Sequence, residues 1–283
     1  MPLLTLHELE QMSPLFRGRM GNGLGRGLMR LLAVDKMNAL YDRNAHLAGP
    51  DFARSVLDDL GVRYEVTGTD SSLFVPPSSP FITLSNHPYG SIDGIILADL
   101  FGHLCPSYKI MVNKILGRVE ALSPSFISVT PTGVERTTPT TESIIGIRRA
   151  LGQLRSGGAL GLFPSGAVSD LSLRDLSLRD RCVRDREWQH PIVRLIAKAS
   201  VPILPVHFLD GNSRFYYLLG LIDWRVRLLR LPAELFNKRG RPVRIAIGEV
   251  ISVEEQQAYL STHTVEEFGL WLRGRVYGTG NRR

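Results

Sequence analysis

The sequence predicts an α/β fold: a largely parallel sheet flanked by helices, behind a helical N-terminal segment. Three observations carry that expectation. Short apolar runs at 81–84, 159–163 and 201–208 have the length and composition of buried strands. Between them, apolar residues recur at helical spacing, as in Ile144, Ile147, Leu151 and Leu154. The first sixty residues show helical spacing only, and strand-like alternation begins at Val62.

The elements follow in order. Met29, Leu32, Met37, Leu40 and Tyr41 form one apolar face, and Phe52, Val56, Leu57 and Leu60 form another after Gly49 and Pro50. Gly61 stops that helix, and residues 62–66 alternate as a strand. Residues 70–80 are a Ser/Pro loop, 81–84 a strand and 91–101 an apolar helix. Strands at 109–112 and 126–129 flank a turn of helix, and a helix opened by Pro139 and Thr140 runs to Gly157 and Gly158. A strand at 159–163, a helix from Trp188 to Ala199 and a strand at 201–208 come next. A strand at 242–247 and a helix at 265–276 close the chain. Strands alternating with helices imply parallel pairing. The segments divide as 1–60, a helical N-terminal segment, and 61–283, the α/β domain.

Composition narrows the class. The chain has 283 residues, 43% of them apolar and 22% charged, which argues against disorder and fibre. The net charge of +7 favours polyanionic partners: nucleic acid, anionic lipid or an acidic carrier protein. Two cysteines, Cys105 and Cys182, fit a reducing compartment, and neither has the CxxC companion of a structural zinc site. No metal is expected. The start MPLLTLHELEQ lacks the basic opening and apolar run of a signal peptide, and the best spanning candidate, 208–231, is broken by six charges.

Two stretches suit a membrane surface. Residues 15–32 carry four arginines, no acidic residue and scattered Leu, Met and Phe, although five glycines count against a rigid helix. A solvated basic loop is the alternative. Residues 223–231 alternate Arg with apolar residues, as an interfacial segment or a half-exposed edge strand would. The tandem LSLRD at 171–180 is too short for a solenoid and reads as a charged loop or small helix.

Chemistry belongs beyond the carboxyl ends of the strands. After the strand at 81–84, His87 lies in a Pro/Gly turn and Asp93 in the first turn of the next helix. A reversal across Pro88–Gly90 can return the Asp93 carboxylate to His87, giving a general-base pair whose carboxylate fixes the imidazole tautomer. The alternative is that His87 merely caps a turn and Asp93 a helix. After the strand at 159–163, Phe163, Pro164, Ser165 and Gly166 form a turn whose free N–H groups suit an anion or developing oxyanion. FPSGAVS is not a G-x-S-x-G elbow, which weighs against a serine nucleophile.

Taken together, NHPYGSID at 86–93, GALGLFPSG at 158–166 and VPILPV at 201–206 resemble the glycerolipid acyltransferase superfamily (lysophosphatidic acid acyltransferase-like), over about 81–251. Five residues between His87 and Asp93, where the commonest form has four, are similar to the bacterial hemolysin-like subgroup that includes ornithine- and glycine-lipid O-acyltransferases. The flanks agree: 57–62 with Tyr64 upstream, and Gly211, Asn212, Ser213 and Phe215 downstream. Ser165 stands where phosphatidate-forming members have Glu, and Val168 where they have Arg.

The resemblance implies the family's α/β fold and transfer of a fatty acyl group from a thioester to a lipid hydroxyl. His87 would be the base, Asp93 its partner, and backbone donors near Gly166 the oxyanion site. An apolar Val168 cannot grip phosphate bidentately, so the expected acceptor is an N-(hydroxyacyl) amino acid. Asn86, Lys114, Arg136, Arg174, Asn212 and Ser213 are the candidate headgroup residues. The donor would be an acyl carrier protein or coenzyme A thioester, with no cofactor besides, and the protein would sit peripherally on the cytoplasmic side of the inner membrane. A lysophospholipid acyltransferase is the nearest alternative. A non-catalytic lipid binder and a basic nucleic-acid module are others, the last disfavoured because no RNP-like, KH or zinc-finger signature is present.

Overall fold

In a computed structural model of the chain, residue 7 and residues 17–68, 79–129, 141–171, 183–222 and 224–279 are described. Arg136, Arg174, Cys182, the tandem repeat beyond Leu171 and the opening Pro139 and Thr140 lie outside them. Three helices come first: α1 (Gly18–Leu31), α2 (Val34–Asn44) and α3 (Gly49–Leu60). The glycine-rich stretch therefore forms a helix. Gly21 and Gly25 fall one turn apart on its buried side with Met29, so lost propensity is offset where small residues allow close packing.

Seven strands form one sheet: β1 (Tyr64–Gly68), β2 (Ile82–Ser85), β3 (Lys109–Asn113), β4 (Phe126–Val129), β5 (Leu160–Leu162), β8 (Ile203–Phe208) and β9 (Val243–Ile247), in the order β1-β9-β8-β2-β5-β3-β4. Between β5 and β8, β6 (Asp170–Leu171) and β7 (Val183–Arg184) make a small antiparallel pair. β8, β2, β5, β3 and β4 run parallel, while β9 pairs antiparallel with β8 and parallel with β1. The sheet is thus largely parallel, with the two strands at one end, β9 and β1, reversed.

Helices cover both faces. α2, α3 and α4 (Ile92–Leu104) bury Leu40, Phe52, Leu57, Ile96 and Leu97 against Ile110, Leu204, Val206 and Phe208. On the other face α5 (Thr141–Arg155), α6 (His190–Ala199) and α11 (Val265–Gly278) bury Leu154, Ile196, Phe268 and Leu272 against Ile82, Leu84, Met111 and Ile203. Successive strand residues alternate between the two cores, as pleating requires. Residues 40–60 share the first core with the sheet.

Residues 223–231, read from sequence as an interfacial segment or edge strand, are helical where described. α7 (Arg214–Ile222), α8 (Trp224–Leu229) and α9 (Leu231–Phe236) follow one another, and α10 (Val253–Leu260) precedes α11. Arg227 is turned inward there. It is 3% exposed, paired with Asp170, and its guanidinium donates to the carbonyls of Val168 and Ser169.

His207 on β8 faces the ring of Tyr277 on α11, with centroids 5.1 Å apart, and its Nδ1 is buried with no hydrogen bond among the described residues. Burial pushes its pKa down from 6.5 to about 4. The folded protein therefore binds this proton less well than the unfolded chain does. Its stabilising effect is complete above pH 6.5 and is lost as pH falls toward 4, a difference of about 3 kcal/mol. His207→Gln should lose correspondingly less unfolding free energy than the wild type between those pH values. Identical pH slopes in urea titrations would refute this.

Candidate active site

Sheet order decides what meets what. β8, β2 and β5 are parallel neighbours in register, with Ser85 opposite Val206 and Leu84 opposite Leu162. Their carboxyl ends therefore deliver 86–93, 163–169 and 209–213 to one edge. Asn86 locks the first junction: its amide donates to Phe208 O (2.9 Å) and its Oδ1 accepts Phe208 N–H (2.8 Å).

The chain then turns at Pro88–Gly90. Gly90 has φ +75°, and a Cβ there would lie 2.5 Å from Cγ2 of Val168, so glycine serves both the reversal and the close approach. Asp93 lies in the first turn of α4, fully buried, and its Oδ2 is 2.8 Å from His87 Nδ1. The five-residue spacing thus still brings the two side chains together. Three backbone N–H groups hold the carboxylate: Tyr89 (3.1 Å) and Gly90 (3.2 Å) donate to Oδ2, and Gly94 (3.0 Å) to Oδ1. The His87 contact is close but is not an aligned hydrogen bond, because Nδ1 has no hydrogen bond of ordinary angle among the described residues. Catalytic contacts of this kind commonly tighten only when substrate binds.

The His87 ring packs on Phe163 with centroids 4.1 Å apart, and 18% of its side chain is exposed. Burial opposes its charged form, but the Asp93 carboxylate, and Asp185 behind it, outweigh burial and hold its pKa above the usual histidine value. With Nδ1 turned to Asp93, Nε2 is the nitrogen left for an incoming hydroxyl.

The turn at 163–166 differs from expectation in one respect. Gly166 N–H donates to Phe163 O (2.9 Å), closing the turn, so this expected oxyanion donor is already engaged. Ser165 donates its hydroxyl to Ala167 O (2.8 Å), while Gln189 N–H donates to Pro164 O (2.9 Å). Gly166 has φ +63°, and a Cβ there would collide with the Gln189 amide.

The headgroup candidates are spread out. Asn86 is occupied with Phe208, as above. Asn212 donates from its side chain to Tyr89 O (3.0 Å), and both Ser213 N–H (2.9 Å) and Ser213 Oγ (2.6 Å) bond the buried Glu234. All three brace the loops. Lys114 is exposed at the end of β3, the strand beyond β5.

Two residues that no motif marks also hold the site. Asp185 receives the His87 N–H (3.1 Å), and Arg227 clamps the 168–169 main chain and the Asp170 carboxylate. In sequence both sit in basic runs that read as surface, and only the pairing of β6 with β7 and the path of α8 carry them inward.

A family model described as acyltransferase matches residues 9–279. Among curated proteins, a lyso-glycine lipid O-acyltransferase of Bacteroides thetaiotaomicron is 24% identical over 88% of this chain and 87% of its own. One of the same name from Phocaeicola vulgatus is 23% identical over 88% and 85%. Among solved structures, the 1-acyl-sn-glycerophosphate (LPA) acyltransferase PlsC of Thermotoga maritima gives a TM-score of 0.45 at 15% identity, covering 81% of this chain and 80% of that one.

Proposed function

The chain belongs to the acyltransferase family, and on that premise we propose that it moves a fatty acyl group from a thioester to the hydroxyl of a lyso-glycine lipid. The observation that carries the reading is the His87–Asp93 pair, 2.8 Å apart at the strand edge beside Phe163. In this mechanism His87 Nε2 takes the hydroxyl proton as the acceptor oxygen attacks the thioester carbonyl. Asp93 stabilises the imidazolium. The C–S bond then breaks, and the departing thiolate receives the proton from His87. Attack is direct, since Ser165 donates its hydroxyl to the Ala167 carbonyl and not to a base. Gly166 N–H can serve the oxyanion only if the Phe163–Gly166 turn opens.

Two things support a glycine-lipid acceptor. The two relatives carry that activity in their names. Val168 is buried against Tyr216, Tyr217 and Leu231, where it offers nothing to a phosphate. Incubation with acyl carrier protein or coenzyme A thioesters, and with N-(hydroxyacyl)glycine or lysophosphatidate, separates the acceptors by product mass. Acylation of lysophosphatidate alone would overturn the choice of acceptor, and acylation of neither would overturn acyl transfer to these lipids.

Attachment at the cytoplasmic face of the inner membrane is part of the same proposal. Among the described residues no helix is long and apolar enough to cross a membrane. α1 exposes Met20, Leu24 and Leu31 along one side among Arg19, Arg26 and Arg30. α7 exposes Phe215, Leu218 and Ile222 on another, with the Arg230 guanidinium 5.0 Å from the Phe215 ring centre. Flotation with phosphatidylglycerol vesicles, weaker with neutral ones and weaker still for Leu218→Glu/Ile222→Glu, is the expected result. Retention of DNA in a gel shift instead would favour the nucleic-acid alternative.

A further inference from the structure

Asp185 belongs to none of the three motifs, yet it is tied to the site from several directions. It follows β7, is 3% exposed, and its Oδ1 accepts both the His87 N–H (3.1 Å) and the Ser169 hydroxyl (2.5 Å). Ser169 N–H in turn donates to His87 O (2.9 Å), closing a ring of contacts between the two loops. From α11, the Tyr277 hydroxyl accepts Asp185 N–H (2.7 Å) and Arg273 donates to Asp185 O. Its Oδ2 is buried with no hydrogen-bond partner among the described residues. A buried carboxylate with one oxygen unpaired is costly, so stability is a poor reason for its presence.

Building on the acyl-transfer reading, we propose that Asp185 is a positioning residue for His87: it fastens the 86–90 turn to the 163–169 loop, so that the ring keeps Asp93 at Nδ1 while Nε2 stays free for the acceptor. It acts through the His87 main chain and touches no substrate. Among the described residues, the charged and titratable groups that act on it are His87 on the 86–90 turn and Arg273 and Tyr277 on α11, with Asp93 beyond His87 and Arg184 beyond Tyr277. Burial draws the Asp185 carboxyl up, against the pull of Ser169 and His87, and its charge helps to hold His87 protonated.

The two duties separate in two variants. Asp185→Asn keeps an oxygen for both donors and removes the charge, whereas Asp185→Ala removes both. Asp185→Ala should lower kcat about 10- to 100-fold with little change in acceptor KM. Asp185→Asn should restore kcat to within about threefold of wild type. Its acid limb of kcat/KM should move to lower pH, and the His87 ring, followed by NMR in labelled protein, should titrate lower as well. The NMR titration needs no turnover, so it distinguishes failure of this proposal from failure of the acyl-transfer reading. Full kcat in Asp185→Ala overturns the proposal, as does an unshifted His87 titration together with equal damage in both variants. Should Asp185→Ala not fold, Ser169→Ala, which removes one arm of the clasp, is expected to lower kcat several-fold. Wild-type kcat in that variant overturns the proposal equally.

Discussion

His87→Ala is expected to lower kcat for acyl transfer roughly 100- to 10,000-fold, the usual worth of a positioned general base. The loss should fall on kcat, because the ring makes its contribution as the proton moves and not in the bound ground state. The variant should fold, since the ring is partly exposed and its neighbours Phe163, Asp93 and Asp185 have their own anchors. Vesicle flotation should be unchanged, because the apolar faces of α1 and α7 are not altered. A protein that only binds lipid would show no acyl transfer to lose. Activity within a few-fold of wild type, in protein with an unchanged circular dichroism spectrum, would remove His87 from the mechanism.

Much of this arrangement was legible in the chain before folding. β4 falls at the expected residues, and β2, β3, β5, β8 and β9 within two of them, because short apolar runs bounded by Pro or Gly leave few alternatives. The edge where the motifs meet was legible for the same reason: parallel strands place each following loop on one side. Three things were not legible. The reversal of β9 and β1 is a matter of which distant strands pair, and local pattern carries no such information. Helix formation in α1 turns on Gly21 and Gly25 sharing a buried side, whereas propensity weighs each glycine as exposed. Arg227 and Asp185 lie 58 and 98 residues from the loop atoms they bond, inside runs whose charge reads as solvated surface.

Burial reverses the meaning of those charges. Arg227 sits in a segment whose Arg/Leu alternation suggested an interface with lipid, yet its guanidinium points inward to Asp170 and over the ring of Tyr216. The exposed apolar residues lie instead on α7, at Phe215, Leu218, Leu221 and Ile222. α7 is joined to the His87 turn by Tyr217, whose hydroxyl donates to Pro88 O (2.9 Å). The same helix therefore shows apolar side chains to the outside and steadies the loop that carries His87. A surface helix apolar on both sides is otherwise unfavourable in water.

Asp93→Asn carries the second large effect, and its sign can be worked out from the contacts. Asparagine keeps an oxygen either for the N–H groups of Tyr89 and Gly90, which share Oδ2, or for that of Gly94 on Oδ1, and places an amide at the other position. Opposing a donor to those buried groups should cost about 1–3 kcal/mol of unfolding free energy. The catalytic loss should be larger, roughly 1,000-fold in kcat, because the imidazolium formed on proton uptake loses its counter-charge at 2.8 Å and the tautomer is no longer fixed. The pH profile adds a separate signature. Asp93 is the main influence raising the His87 pKa against the effect of burial. Without the carboxylate, burial prevails and the ring should titrate below 6.5. The base is active when neutral, so the acid limb of kcat/KM moves to lower pH even as the plateau falls. A plateau lowered with the limb unmoved would mean that Asp93 shapes the turn without charging the ring, whereas on the present reading Asp93→Glu, which keeps the charge, returns the limb toward its wild-type position.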